Sequence, residues 1–235
     1  MKTTMMMNTL VSRMLASGVL AAAAAAIAMP AAADGIHVEI TGSVDYNVIH
    51  GDLTGIPSGA PVVMSFNLDS NNYLNSSTFP TRAYAIDIAS FDLNFGGVHI
   101  TMDNPQPGGE PAYFVLRNND PAVDGFFFSH GPDYDTGLTV HIPGVATAHE
   151  VEFKRTFDTD TTLHSLNILD AVGHYGFENM SSYLWTLGVG APGAEVVYES
   201  ITISAISAVP EPATLSLFGA GALLLAGRAR KKAKA

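Results

Sequence analysis

Short runs in which apolar and polar residues alternate fill the middle of this 235-residue sequence. From Val62 to Leu68 and from Leu138 to Ile142, every second residue counted from the first is apolar. A period of two places successive side chains on opposite faces of a strand, so each run predicts a strand with one buried face and one wet face. Turn-forming clusters such as DSNN and DNPQPGGEP separate the runs. The pattern predicts an all-β fold, an antiparallel β-sandwich of jelly-roll-like type, and an immunoglobulin-like strand order fits equally well.

Two stretches depart from simple alternation. In YAIDIASFDLNF the apolar parity changes between Ile88 and Phe91, which indicates a bulge or a strand that changes sheet. Further on, Phe126, Phe127 and Phe128 are consecutive, and side chains on opposite faces of one strand cannot all enter one core. At least one of the three rings is therefore expected to be exposed or to lie under a loop.

Both ends of the chain resemble processing segments. Residues 1–33 begin with two bases and no acid, continue with the apolar stretch MLASGVLAAAAAAIAM, and end in small residues that fit an A-x-A-like cleavage site. This order predicts a cleaved signal peptide over residues 1–33. The passenger domain is then predicted over residues 34–208, long enough to bury a core of its own.

Charge and cysteine content exclude several classes of function. Of the 22 acidic residues, all but Glu211 lie between residues 34 and 208, whereas only four of the 11 Lys and Arg residues do. A surface with so few bases repels phosphate backbones, so nucleic acid is excluded as a partner. The absence of cysteine excludes disulfides, thiolate nucleophiles and Cys-based metal sites.

The last 27 residues combine a motif, an apolar run and a basic terminus. Val209, Pro210, Glu211 and Pro212 are followed by an apolar stretch that spans roughly 22 Å as a helix, short of the ~30 Å hydrocarbon core. The terminus RARKKAKA supplies the positive charge that keeps such a segment's end in the cytoplasm, so the acidic domain is expected outside. An ordinary tail anchor is the alternative interpretation.

These three features in this order resemble the PEP-CTERM sorting signal of Gram-negative bacteria, with a basic tail that alanines interrupt. The resemblance covers residues 209–235 and implies a short transmembrane helix recognised by an exosortase, a membrane protease-transpeptidase that cuts near the motif. It implies export through the secretion translocon, transient anchoring in the inner membrane, and delivery to the cell surface or to the exopolysaccharide matrix of a biofilm.

Acidic and amide side chains in two predicted loops suggest a calcium site. Asn119, Asp120 and Asp124 lie in NNDPAVDG, and Asp133 and Asp135 lie in GPDYDTG. Calcium takes six to eight hard oxygen ligands from flexible loops of this composition. The alternative is structural, because Asn and Asp stabilise turns in any β-rich protein. No cofactor is predicted beyond this possible calcium ion, since the eight histidines show no metal-ligand spacing.

Aromatic residues and paired acids suggest two further activities. Trp185 and Tyr183 are candidate platforms for a sugar ring, although a lone tryptophan is more often part of a core. Glu150 and Glu152 share a strand face, as the acids of sugar-cleaving sandwiches do, but that face is also the wet one. Neither an E-x-D-x-E run nor a G-x-S-x-G elbow supports an enzyme.

The sequence therefore predicts an exported, non-catalytic protein with a structural or adhesive role at the cell surface or in the exopolysaccharide matrix. A calcium-dependent carbohydrate-binding module is the alternative, and a secreted glycoside hydrolase comes after it. Extracellular polysaccharide is the partner expected of the passenger domain.

Overall fold

The computed structural model describes residues 35–206 except residues 121, 190 and 191. Three short 3-10 helices, Gly51–Leu53, Pro107–Gly109 and Ile168–Ala171, are the helical elements of this part of the chain. No helix among the described residues is long and apolar enough to cross a membrane. The strands are β1 Gly35–Asn47, β2 Pro61–Asn75, β3 Thr81–Phe95, β4 Val98–Met102, β5 Tyr113–Arg117, β6 Gly125–Ser129, β7 Leu138–His141, β8 His149–Phe157, β9 Gly173–Tyr175, β10 Met180–Gly188 and β11 Pro192–Ile206.

The strands close into an eight-stranded antiparallel barrel. β10, β11, β1, β2 and β3 are neighbours in that order. Two short strand pairs then connect β3 to β8, with β4 and β7 bridging one half of the barrel wall and β5 and β6 the other half. Pairing of β8 with β10 completes the ring.

The all-β prediction is confirmed, but the predicted β-sandwich is wrong. A sandwich and a barrel require the same alternation along each strand, because both bury one face of every strand. They differ in whether the outermost strands pair with each other, and here β8 and β10 pair along most of their length, from Met180 to Gly188. That long-range pairing leaves no signature in the local pattern.

The change of parity in β3 is confirmed as a bulge. Ser65 of β2 pairs with Asp92, but Asn67 pairs with Asp87, so β3 carries three extra residues at this point. The Ser90 hydroxyl donates to the carbonyl oxygen of Asp87 at 2.6 Å and accepts the backbone N–H of Asn67 at 2.8 Å. An odd insertion moves the next residues to the opposite face, which is why Phe91 is again buried.

Alternation predicts the interior well except where a bulge or a strand end interrupts it. Tyr46 and Val48 share the parity of the buried residues Ile36 to Val44, yet they are 37% and 67% exposed. In β11 the register shifts by one residue at Glu199, so Tyr198 rather than Val197 faces inward. One extra residue is enough to exchange the faces of a strand.

β5 and β6 are buried on both faces. Phe114, Phe126 and Phe128 point into the main core of the barrel, whereas Phe127 joins a second, outer cluster. We call this the outer cluster, and it consists of Ala83, Tyr113, Val115 and Phe127. The prediction that the three consecutive phenylalanines cannot share one core is confirmed.

The two ends of the described chain lie side by side. Gly35 is the register partner of Ile206 in the β1–β11 pair, and the compact unit that contains both extends from Ala33 to Ser207. The predicted signal peptide, residues 1–33, and the predicted transmembrane helix and basic tail within residues 209–235 lie outside the described residues.

Candidate functional site

A loop folded back over the outside of the barrel forms the wall of a surface cavity. This loop, residues 130–137, follows β6 and is held by several hydrogen bonds, including the following three. The Ser129 hydroxyl donates to the carbonyl oxygen of Tyr134 at 2.5 Å, and the Thr81 hydroxyl donates to that of Pro132 at 2.5 Å. The Thr136 N–H donates to the carbonyl oxygen of Phe128 at 3.0 Å. The loop is thus fixed at its middle and at both ends.

The cavity beneath this loop has a volume of about 250 Å³, and we call it the outer cavity. Its apolar surface comes from three aromatic rings: Phe127, which is 4% exposed, Phe79, and Tyr134, which is 68% exposed. Phe79 and Tyr134 meet edge to face with their ring centroids 5.5 Å apart, an arrangement that aromatic pairs favour. Tyr134 is therefore an exposed ring with a fixed partner.

Charged groups of both signs line the rest of the outer cavity. Lys154 of β8 donates from Nζ to Asp135 Oδ2 at 2.9 Å, and Arg117 of β5 donates from Nη2 to the Thr156 hydroxyl at 2.6 Å. Asp120 and Asp133 complete the polar lining, with no side-chain hydrogen bond to the rest of the described chain. The cavity therefore presents donors and acceptors to the same space.

The structure separates the five calcium candidates. Asp124 is fully buried, and its two carboxylate oxygens accept the backbone N–H groups of Asn119 at 2.9 Å and Leu163 at 2.7 Å. Asn119 has a φ of +59°, the left-handed geometry that asparagine tolerates in turns. Asp120, Asp133 and Asp135 lie at the outer cavity instead. Within the described residues, no group of three or more His, Asp or Glu side chains could hold a metal ion, and the calcium site stays a prediction.

The two carbohydrate candidates line a second depression. β10 and β11 pair only from Thr186 to Gly188, so below this point they diverge and leave a groove of about 170 Å³. Tyr183 is 39% exposed there, whereas Trp185 is 2% exposed and packs edge-on against Phe153. Asp45 and Glu195 supply carboxylates, together with Leu184, Thr186 and Val196.

A family model for the PEP-CTERM protein-sorting motif matches residues 208–231. The chain therefore carries a PEP-CTERM sorting motif at its C-terminal end. This signal marks an exported protein that an exosortase sorts to the cell surface. The match covers the C-terminal segment alone, and neither the curated proteins nor the solved structures yield a match to this chain.

The barrel of this PEP-CTERM protein also holds a buried cation that the sequence analysis missed. Arg155 is fully buried, and its Nη2 donates to the carbonyl oxygens of Gly176 at 2.7 Å and Glu178 at 3.3 Å. Its guanidinium carbon lies 3.9 Å from the ring centroid of Phe157, and Nε and Nη1 have no hydrogen-bond partner among the described residues. Burial lowers the pKa of Arg155. The sequence does carry a signal for this burial. Arg155 has the same parity as Phe153 and Phe157 along β8, which places all three side chains on the inner face of the strand.

Arg155 and Tyr198 place polar groups inside the barrel. Burial raises the pKa of Tyr198 to about 12, although the nearby charge of Arg155 acts in the opposite direction. The Tyr198 hydroxyl donates to the carbonyl oxygen of Tyr175 at 2.5 Å. These groups tie β8, β9 and β11 together and have a structural role. Glu150 and Glu152, by contrast, lie on the outer side of β8, as predicted.

Proposed function

We propose that this PEP-CTERM protein is a non-catalytic structural or adhesive component of the cell surface or of the exopolysaccharide matrix. The observation that carries the proposal is a sorting motif placed directly after a closed barrel whose interior is filled with apolar side chains. Such a barrel offers a rigid, stable body outside the cell and keeps most of its polar groups on the outer surface.

The position of the chain ends supports a display role. Because Gly35 and Ile206 are partners, the two ends of the described chain lie at one end of the barrel. The loops after β1, β3 and β7 lie at the other end, where Asn47, Phe95 and His141 end their strands. We propose that the loops at that other end and the barrel wall contact the matrix.

Deletion of the gene tests the proposal. We expect the deletion strain to lose matrix cohesion or surface adhesion, and the full-length gene to restore it. A complementing gene with Pro210→Ala and Glu211→Ala should fail to restore it, because the protein is no longer sorted. Release of reducing sugar from polysaccharide by the purified protein, or an unchanged matrix in the deletion strain, would contradict the proposed role.

The alternative is a calcium-dependent carbohydrate-binding module that uses Tyr183 and Trp185. The groove between β10 and β11 favours it, because an exposed tyrosine lies there beside the carboxylates of Asp45 and Glu195. Carboxylates accept hydrogen bonds from sugar hydroxyls, and an aromatic ring supports the apolar face of a sugar. Binding of an oligosaccharide that Tyr183→Ala abolishes and EDTA prevents would establish this function.

A further inference from the structure

The outer cavity holds an unusual share of the basic residues of the domain. Residues 34–208 contain four Lys and Arg residues, and each has a defined place in the structure. Arg155 is buried in the barrel, and Arg82 lies with its guanidinium carbon 4.2 Å from the ring centroid of Tyr73. The other two, Arg117 and Lys154, line the outer cavity. Because the domain is so acidic, the presence of two cations at one cavity indicates a function other than keeping the protein soluble.

Three carboxylates face the same space. Asp120, Asp133 and Asp135 outnumber the two cations, so the outer cavity does not favour an anionic ligand. Of the three acids only Asp135 is paired, through Lys154, and Arg117 has Nη2 bonded to Thr156. Charged donors beside charged acceptors fit a neutral ligand whose groups both donate and accept, which is the property of sugar hydroxyls.

The ring of Tyr134 adds a stacking surface. It is 68% exposed, yet Phe79 packs against it and Ser129 holds its backbone carbonyl, so its position is fixed before any ligand binds. A pre-positioned ring loses little conformational entropy on binding. The C–H groups on one face of a pyranose pack against such a ring, while Phe127 forms the apolar floor.

We infer that the outer cavity binds one neutral sugar unit of an extracellular polysaccharide. Tyr134 stacks on the sugar ring, Arg117 and Lys154 donate to its oxygen atoms, and Asp133 accepts from its hydroxyls. This inference rests on the proposed role in the matrix and names the ligand class that the barrel contacts there. It assigns to the aspartates of this loop a role in hydrogen bonding to sugar.

The test uses the full chain purified in mild detergent and a set of defined probes. These are the methyl glycosides of glucose, galactose and mannose, neutral oligosaccharides of the same sugars, and methyl glucuronide as the anionic probe. Saturation-transfer NMR detects weak binding, and titration gives the dissociation constant. We expect at least one neutral probe to bind with an affinity that added salt leaves unchanged, because no net charge is neutralised.

Variants locate the site. Tyr134→Ala should weaken binding about tenfold through loss of one stacked ring, and Lys154→Gln by a smaller factor. The matched control is Tyr73→Ala, because Tyr73 is 40% exposed and carries a cation on its ring but lies outside the cavity. The control should bind as the wild type does. Unchanged urea midpoints would show that the variants are folded.

Four results would overturn the inference: no binding of any neutral probe, equal binding by Tyr134→Ala, tighter and salt-sensitive binding of methyl glucuronide, or loss of binding through Tyr183→Ala instead. The proposed matrix role fails by a different result, an unchanged matrix in the deletion strain. A protein that still supports matrix cohesion while its outer cavity binds no sugar would therefore refute the inference alone.

Discussion

The two faces of the wall formed by β5, β6 and β8 differ in how their side chains are packed. On the inner face, Phe114, Phe126 and Phe128 are fully buried in the main core. On the outer face, Phe127 and Lys154 are register partners below a folded loop, beside charged groups of both signs. The inner face is closely packed, whereas the outer face combines the apolar outer cluster with charged groups around a partly open cavity. We therefore expect changes inside to affect stability and changes outside to affect binding.

The largest expected effect distinguishes the two faces directly. Phe128→Ala removes a ring that contacts Phe66 and Phe153 with centroids 5.5 and 5.7 Å apart. We expect it to lower the free energy of unfolding by about 3–5 kcal/mol, because the closed barrel cannot collapse around the cavity.

The neighbouring Phe127→Ala is the matched control on the outer face. It should lower the free energy of unfolding by only about 2 kcal/mol, because the ring borders the open outer cavity and its removal leaves no closed cavity. Urea denaturation measures both values. Equal losses would mean that the outer cluster is packed as tightly as the core, and the distinction between the faces would fail.

The second prediction concerns the polar part of the interior. The pKa of Tyr198 is raised from 10.0 to about 12, so the folded state keeps a proton that the unfolded state loses. The resulting stabilisation is fully present below pH 10 and is lost as the pH rises through 12, in total about 2–3 kcal/mol.

Urea denaturation between pH 8 and pH 12 measures this loss. Tyr198→Phe should show a much shallower decline, because the titrating group is absent. The same slope in the variant would assign the alkaline instability to other groups.

The third prediction separates two of the calcium candidates. Asp124→Asn places an amide nitrogen where a buried carboxylate oxygen accepts a backbone N–H, so we expect a loss of about 1–3 kcal/mol. Asp133→Asn, at an exposed position of the outer cavity, should change stability by less than about 0.5 kcal/mol. Thermal unfolding of both variants provides the comparison. A large loss for Asp133→Asn would show that this residue holds the loop rather than faces a ligand.

Local pattern predicts which residues face inward but not how the sheet closes. The buried parity of Val62 to Leu68, the bulge before Phe91 and the divided burial of the three phenylalanines all follow from the period of two. Closure depends on the pairing of β8 with β10, whose residues are distant in sequence. Nothing in either strand alone distinguishes a barrel from a sandwich.

The candidate site shows the same limit. The aspartates at 120, 133 and 135 were identified from loop composition, but their basic neighbours Arg117 and Lys154 lie on strands and gave no signal. The two cations meet only because β5 and β8 flank β6 in the barrel wall. To predict that Arg117 and Lys154 are close, one must know the order of the strands in the sheet, and the sequence pattern does not give that order.

The smallest expected effect is that of calcium. Both oxygens of Asp124 accept backbone N–H groups, and Asp135 pairs with Lys154, so few carboxylate oxygens are left to converge on one ion. We expect the melting temperature in excess calcium to equal that in EDTA within about 1 °C.

A ligand that binds only the folded form adds about 2.7 kcal/mol at a hundredfold excess over its dissociation constant, which would shift the melting temperature by several degrees. A shift of that size, lost in Asp133→Asn, would make the outer cavity a calcium site and would displace Lys154 from Asp135. No shift would leave Asp133 and Asp135 available to sugar hydroxyls, which is the arrangement that a neutral ligand requires.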